Sequence, residues 1–250
     1  TNDGAGYGYF IEWDASEFNA LDTDTNNNNL LEGGIGADTI YGSGGDDVIY
    51  GYSQASDDNA DSGNVLLGGA GSDTVIGAAG NDSIYVSSDG VADTYDGNSG
   101  TDSIRADQAT GGVNINLTTM TITDVGAAHL GADVIIDFEN AWGSNYGDTL
   151  IGTTGNNYFR GLDGDDYIDA GDGADTIYDG FGADTIYGGL GADKIYVFDD
   201  NSADVIYATD GGADDSTEDW LYSEGASGHL VIDLVNETFT NSLNPLLGLN

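Results

Sequence analysis

Oxygen-bearing side chains return along this chain at a fixed interval. In the second half Asp148, Asn157, Asp166, Asp175, Asp184 and Asp193 follow one another every nine residues, and Asp204 comes next after a two-residue slip. The first half carries a less regular series. Asp38 and Asp47 come first; beyond a polar insertion from Tyr52 to Ser62 lie Asn64, Asp73, Asp82, Asp93 and Asp102. Glycines precede most of these positions, as Gly34 and Gly36 precede Asp38. Glycine permits φ > 0 and close backbone approach, so the segment before each acid can turn tightly and aim carbonyl oxygens inward. Carbonyl and carboxylate oxygens are hard donors. Calcium takes roughly six to eight of them at about 2.3–2.6 Å in a forgiving geometry. Carbonyls of one turn and carboxylates of two neighbouring turns would supply that number.

The full unit is a phrase. Gly33-Gly34-Ile35-Gly36-Ala37-Asp38-Thr39-Ile40-Tyr41 is its clearest early copy, and Gly188-Gly189-Leu190-Gly191-Ala192-Asp193-Lys194-Ile195-Tyr196 nearly repeats it near the other end. The phrase resembles the calcium-binding nonapeptide of the RTX (repeats in toxin) family. The resemblance covers about 28–105 and 143–207. It implies an all-β fold, a calcium-bound parallel β-roll (a solenoid) in two stretches with a β spacer and spacer-like end segments. In such a roll two nonapeptides make one coil, and residues eighteen apart stack. Asp148, Asp166 and Asp184 are then expected in line on one side, and Asn157, Asp175 and Asp193 on the other. Asn64 is expected near Asp82, Asp73 near Asp93 and Asp82 near Asp102. The implied cofactor is Ca2+ in several copies. Its expected side-chain ligands are Asp38, Asp47, Asn64, Asp73, Asp82, Asp93, Asp102, Asp148, Asn157, Asp166, Asp175, Asp184, Asp193 and Asp204. The expected carbonyl donors are those of Gly34, Gly36, Gly69, Gly71, Gly171, Gly173, Gly180, Gly182, Gly189 and Gly191.

The elements that position these groups are short. The last three residues of each phrase read as a strand whose middle residue points into a core and whose flanks point out. Tyr41, Tyr50, Tyr85, Tyr178, Tyr187 and Tyr196 close their phrases and are expected on the outer surface. The chain divides into a spacer-like β segment (1–27), a first repeat block (28–105), a β spacer (106–142), a second block (143–207) and a second spacer-like β segment (208–250). Val113–Leu117 with Thr121–Thr123 aligns on Val231–Leu234 with Thr238–Thr240, placing Ile115 on Ile232. Phe18–Leu21 before Leu30 parallels Phe138–Trp142 before Leu150, at an interval of twelve residues in each case. Two readings follow. Either the C-terminal segment of one molecule completes the N-terminal segment of the next, giving a head-to-tail filament, or the chain is a piece of a longer tandem protein. The start at Thr1 rather than at a methionine marks a processed product or a part of such a protein.

Composition narrows the function. Forty-five acids against three basic residues give a formal charge of −42 over 250 residues. Nothing basic is available to neutralise phosphates, so nucleic acid is excluded as a partner; no apolar run reaches the length of a membrane span. There is no cysteine, which suits a secreted protein held by metal instead of disulfides. Each phrase buries about one aliphatic side chain against nine ordered backbone residues, so the core is thin and stacked carboxylates weaken it further. Extracellular calcium modules bind at about 10⁻⁴–10⁻³ M, far above cytosolic calcium, and the chain is therefore expected to fold only after export. The RTX resemblance implies a Gram-negative source and type I secretion to the extracellular space or cell surface. Catalytic groups are few. His129 and His229 stand alone, no G-x-S-x-G or H-E-x-x-H motif occurs, and Arg105, Arg160 and Lys194 are too few for a phosphate site. The chain is not expected to be an enzyme. Three functions remain: a secreted structural protein that self-assembles as filament, surface layer or matrix; a calcium-dependent adhesin or glycan-binding segment; and the tail of a secreted enzyme or toxin.

Overall fold

Ile40, Ile84, Ile177 and Ile186 are each the middle residue of a three-residue Thr/Ser-Ile-Tyr stretch, and the alternation of a strand sends them one way and their neighbours the other. In a computed structural model these four side chains are fully buried while the flanking residues keep contact with solvent. The structure describes residues 10–12, 19–21, 27–52, 63–125, 130–198, 200, 202–207, 219–224 and 231–233. The insertion beyond Tyr52, both histidines and most of the two end segments lie outside them. Among the described residues there are 23 strands and no helix.

Outside the spacer, successive strands alternate between two sheets, one of 13 strands and one of 10. Within the two repeat blocks each strand pairs in parallel with the strand one coil away: Ile40 with Leu66, Leu66 with Ile84, Ile177 with Ile195, Ile186 with Ile206. The middle residues of both sheets meet in a single apolar column from Leu31 to Ile206. This is the parallel β-roll.

The spacer prolongs the roll. Asn140–Trp142 joins Ser103–Arg105 to Tyr158–Asp163 in the smaller sheet, all parallel. In the larger sheet Asp133–Ile136 pairs with Thr94–Asp96 and Gly112–Asn116 with Thr149–Thr153, both parallel, and Thr121–Val125 lies antiparallel between them. Ile115, Ile122 and Ile135 carry the core across this point. The two repeat blocks therefore share one continuous core.

The end segments match the spacer only in part. Ala20 stands beside Ile40 as Ala141 stands beside Phe159, so Asn19–Leu21 and Asn140–Trp142 occupy equivalent places. The twelve-residue match of Leu30 with Leu150 does not hold, because Leu31 is the core residue and Leu30 its half-buried neighbour; a one-residue shift in a strand exchanges the inner and outer faces. Val231–Asp233 pairs in parallel directly with Val205–Tyr207, whereas Gly112–Asn116 stands three strands from Thr94–Asp96. Ile232 and Ile115 thus sit at different topological positions. Leu234, Thr238 and Thr240 are outside the described residues.

Candidate metal centre

Each acid of the series stands one residue before a strand, where the turn ends. This places it at the edge of the roll, and coil stacking sets the acids above one another. Along one edge the N–H of Asp148 donates to Oδ1 of Asp166 at 2.8 Å, that of Asp166 to Asp184 at 2.8 Å, and that of Asp184 to Asp204 at 3.1 Å. Along the other, Asn157 donates to Asp175 at 2.7 Å, Asp175 to Asp193 at 2.9 Å, and Asp193 to Asp219 at 2.9 Å. The first half does the same. Asn29, Asp47, Asp73, Asp93 and Asp133 form one series, with N–H to Oδ1 distances of 2.8–3.0 Å. Asp38, Asn64, Asp82 and Asp102 form the other, which ends on Oε2 of Glu139 at 2.8 Å. Every stacked pair expected from the nine-residue spacing is present. The two-residue slips at Asp93 and Asp204 are absorbed within the turns, and Asp38 meets Asn64 across the insertion.

One oxygen of each carboxylate thus serves the backbone. The second oxygen accepts a further hydrogen bond in Asp82, Asp93 and Asp148, from the N–H of Ala78, the hydroxyl of Tyr95 and the N–H of Ser144, and in several others it is left over. The Oδ2 atoms of Asp73, Asp102, Asp133, Asp166, Asp175, Asp179 and Asp184 are buried without a hydrogen-bond partner. Burying an unsatisfied charge is costly, and the site must take up a proton or a cation. Burial accordingly pushes the Asp166 carboxyl up to about 9, with the charges of Asp148 and Asp184 adding to it. Asp175 rises to about 8, Asp73, Asp102, Asp133 and Asp184 to about 7, and Asp148 to about 6, burial leading in every case. A hard, oxygen-seeking divalent cation suits this donor set, and the residues present fit calcium.

The glycines behave as the turns require. Gly34, Gly36, Gly69, Gly71, Gly171, Gly173, Gly180, Gly182, Gly189 and Gly191 all have positive φ, between 91° and 144°. A Cβ on Gly182 would fall on the carbonyl oxygen of Gly164 in the neighbouring coil, so the stacking itself excludes a side chain there. The carbonyl of Gly171 accepts the N–H of Leu190 at 3.1 Å, which commits one of its lone pairs along the roll.

Asn29, Asp133, Glu139 and Asp219 belong to these series without standing in a full phrase. The signal in the sequence was the second half of the phrase alone: an acid or amide followed by three residues with an apolar one in the middle, as in Asp133-Val134-Ile135-Ile136 and Asp219-Trp220-Leu221-Tyr222. Asp179 was also missed, because it occupies the place of a first-position glycine.

The outer face of the smaller sheet is aromatic. Arg105 lies 3.6 Å from the ring centroid of Trp142 and 4.6 Å from that of Tyr85, and Arg160 stands 4.6 Å from Trp142 on its other side. Tyr178, Tyr196 and Tyr222 continue the column with centroid spacings of 4.3 and 4.6 Å. A cavity of about 490 Å³ opens beside it, lined by these three tyrosines, Arg160, Leu162 and Phe198 among others.

The family model described as the RTX calcium-binding nonapeptide repeat matches this chain in four copies, at residues 23–55, 59–90, 142–177 and 169–201, which together span half of it. No curated protein matches the chain.

Proposed function

Because the chain belongs to the family of RTX calcium-binding nonapeptide repeat proteins, we propose that it is a secreted structural protein which folds on Ca2+ outside the cell and joins head to tail with further copies. That it binds several calcium ions follows from the family and suits the buried aspartates. RTX repeats are typical of proteins secreted by Gram-negative bacteria. The observation that carries the reading is the double series of stacked, buried carboxylates, in which the second oxygens of Asp73, Asp102, Asp133, Asp166, Asp175 and Asp184 are buried without a hydrogen-bond partner.

Bound Ca2+ would supply the positive charge that lets carboxylate and carbonyl oxygens of neighbouring coils share one ion. The chain's own residues do the rest. Oδ1 of each acid holds the backbone of the neighbouring coil at its fixed height, and the glycine turns bring carbonyl oxygens to the same edge. The aliphatic column keeps water from the strands. In the low calcium of the cytosol the carboxylates repel one another and the thin core does not hold, so the chain stays unfolded for export.

Assembly is supported by the way the sheets end. Among the described strands, Phe10–Glu12 and Asn19–Leu21 stand at one end of the two sheets, and Val231–Asp233 and Trp220–Glu224 at the other. All four pair in parallel with their neighbours, so a second copy added in the same direction continues both sheets. Edge strands invite such pairing, and a contact between unlike ends does not close. Electron microscopy of the purified chain with calcium and with EGTA tests assembly. Extended rows of roll in calcium are expected; single short particles in both buffers would rule assembly out. A second reading, glycan binding, is favoured by the aromatic cavity at Tyr178, Tyr196 and Tyr222. Retention of the monomer on a glycan array, lost on Tyr196→Ala, would support it.

A further inference from the structure

Asp179 breaks the phrase. In most other coils its position is glycine or alanine, as at Gly33, Gly42, Gly68, Gly143, Gly161 and Ala170. The reason is spatial. A Cβ built on Gly33 would lie 2.5 Å from Oδ2 of Asp38, the acid of the same phrase. The first-position residue looks straight at the carboxylate five residues on. At residue 179 a second carboxylate enters that space. Asp179 is 1% exposed, Asp184 is fully buried and Asp204 stacks on Asp184 from the next coil. Among the described residues this is the one place where oxygens of three acidic groups all lie within 4.8 Å of one another. Oxygens that share one calcium at about 2.3–2.6 Å stand at most about 5 Å apart, so the three carboxylates match a single ion.

A structural role for Asp179 is visible too. Its Oδ1 accepts the N–H of Gly180 at 2.6 Å and that of Phe198 at 2.9 Å, fastening the strand Lys194–Phe198. Those bonds use one oxygen. Oδ2 of Asp179 and Oδ2 of Asp184 are both buried with no partner. Backbone fastening alone leaves three negative groups facing one another in a dry site. Asp179 also lines the cavity beside Tyr178, which offers a way in for an ion.

We propose that Asp179, Asp184 and Asp204 form a three-carboxylate calcium site, distinct from the two-carboxylate seats elsewhere on the roll, that fills first and seeds folding of the second block. The proposal rests on the calcium-binding reading and sharpens it. Calcium affinity is set by the charge count and rigidity of the ligands. A third carboxylate therefore lifts this site above its neighbours, and its occupation ties the coil of Thr185–Tyr187 to that of Val205–Tyr207 before the others close.

The test is a calorimetric calcium titration of the whole chain and of two variants. Asp179→Asn keeps the acceptor for Gly180 and Phe198 and removes the charge. Asp179→Gly restores the glycine that most other phrases carry at this position. The native chain is expected to show one step at least tenfold tighter than the rest, and both variants to lose that step while reaching the native circular dichroism at saturating calcium. If Asp179→Asn does not fold, Asp179→Gly decides alone. Variants that bind as tightly as the native chain, or more tightly, would make Asp179 a backbone anchor only and overturn the proposal. A native chain that takes up no calcium at all would instead defeat the underlying calcium reading.

Discussion

An aspartate placed just before a strand divides its two oxygens between two tasks. In Asp166, Oδ1 receives the N–H of Asp148 while Oδ2 stays buried and unmatched. The two tasks can be separated by substitution. Asp166→Asn keeps the acceptor and removes the charge; its calcium midpoint is expected to rise severalfold with the saturated spectrum unchanged. Asp166→Ala also orphans the N–H of Asp148, a further loss of about 1–3 kcal/mol, read as a lower urea midpoint in calcium. The same carboxylates set a pH dependence. Burial raises them from an ordinary 3.8 to between about 6 at Asp148 and about 9 at Asp166, so without a cation the folded chain holds more protons than the unfolded one. Their contribution to stability is then fully present below about pH 4 and disappears as the pH climbs through the range from about 6 to 9. In EGTA, the β signal of the chain is expected to grow as the pH is lowered from 9 toward 4. A signal indifferent to pH would mean that these acids are not buried. Calcium displaces the same protons, and near neutral pH its binding heat should vary with the ionisation enthalpy of the buffer.

Strands of three residues owe their place to one inward side chain and to the turn before them. Ile186 is fully buried between the two sheets, and Ile186→Ala is expected to cost about 2–5 kcal/mol, seen as a fall in the thermal midpoint in calcium. Gly182 has φ 144° and faces the carbonyl of Gly164. Gly182→Ala should weaken calcium-dependent folding even though no ligand side chain is lost. A melting curve equal to that of the native chain would show that the coils are not stacked as described. Much of this was legible in the sequence. Ile177, Ile186 and Ile195 announce themselves by the apolar centre of each phrase, and Asp148, Asp166 and Asp184 by their interval, because coil length and phrase length are the same constraint. The spacer was harder to read. The antiparallel strand Thr121–Val125 alternates polar and apolar residues only over Thr121-Ile122-Thr123, and its direction is set by which neighbours it meets. Asp133 was hidden because Gly131 alone remains of the phrase's three glycines, and Glu139 because no glycine turn precedes it. Leu30 and Leu31 were both apolar, and only pairing with Val48–Tyr50 selects Leu31 for the core.

At the scale of the molecule, a charge of −42 and one narrow apolar column act against each other, and cations decide the outcome. The core runs unbroken through both blocks and the spacer, so calcium taken up in one block is expected to support the other; a titration with two well-separated folding transitions would show that the spacer uncouples them. Arg105 and Arg160 lie stacked among the rings of the smaller sheet, which leaves the carboxylate edges with little positive charge from the chain itself. The dependence on calcium is measured most directly by far-ultraviolet circular dichroism of the purified chain at neutral pH, first in excess EGTA and then after addition of millimolar calcium. A disordered spectrum that converts to a β spectrum on adding calcium, and reverts on chelation, is the expected result; a full β spectrum in EGTA, unchanged by calcium, would contradict it.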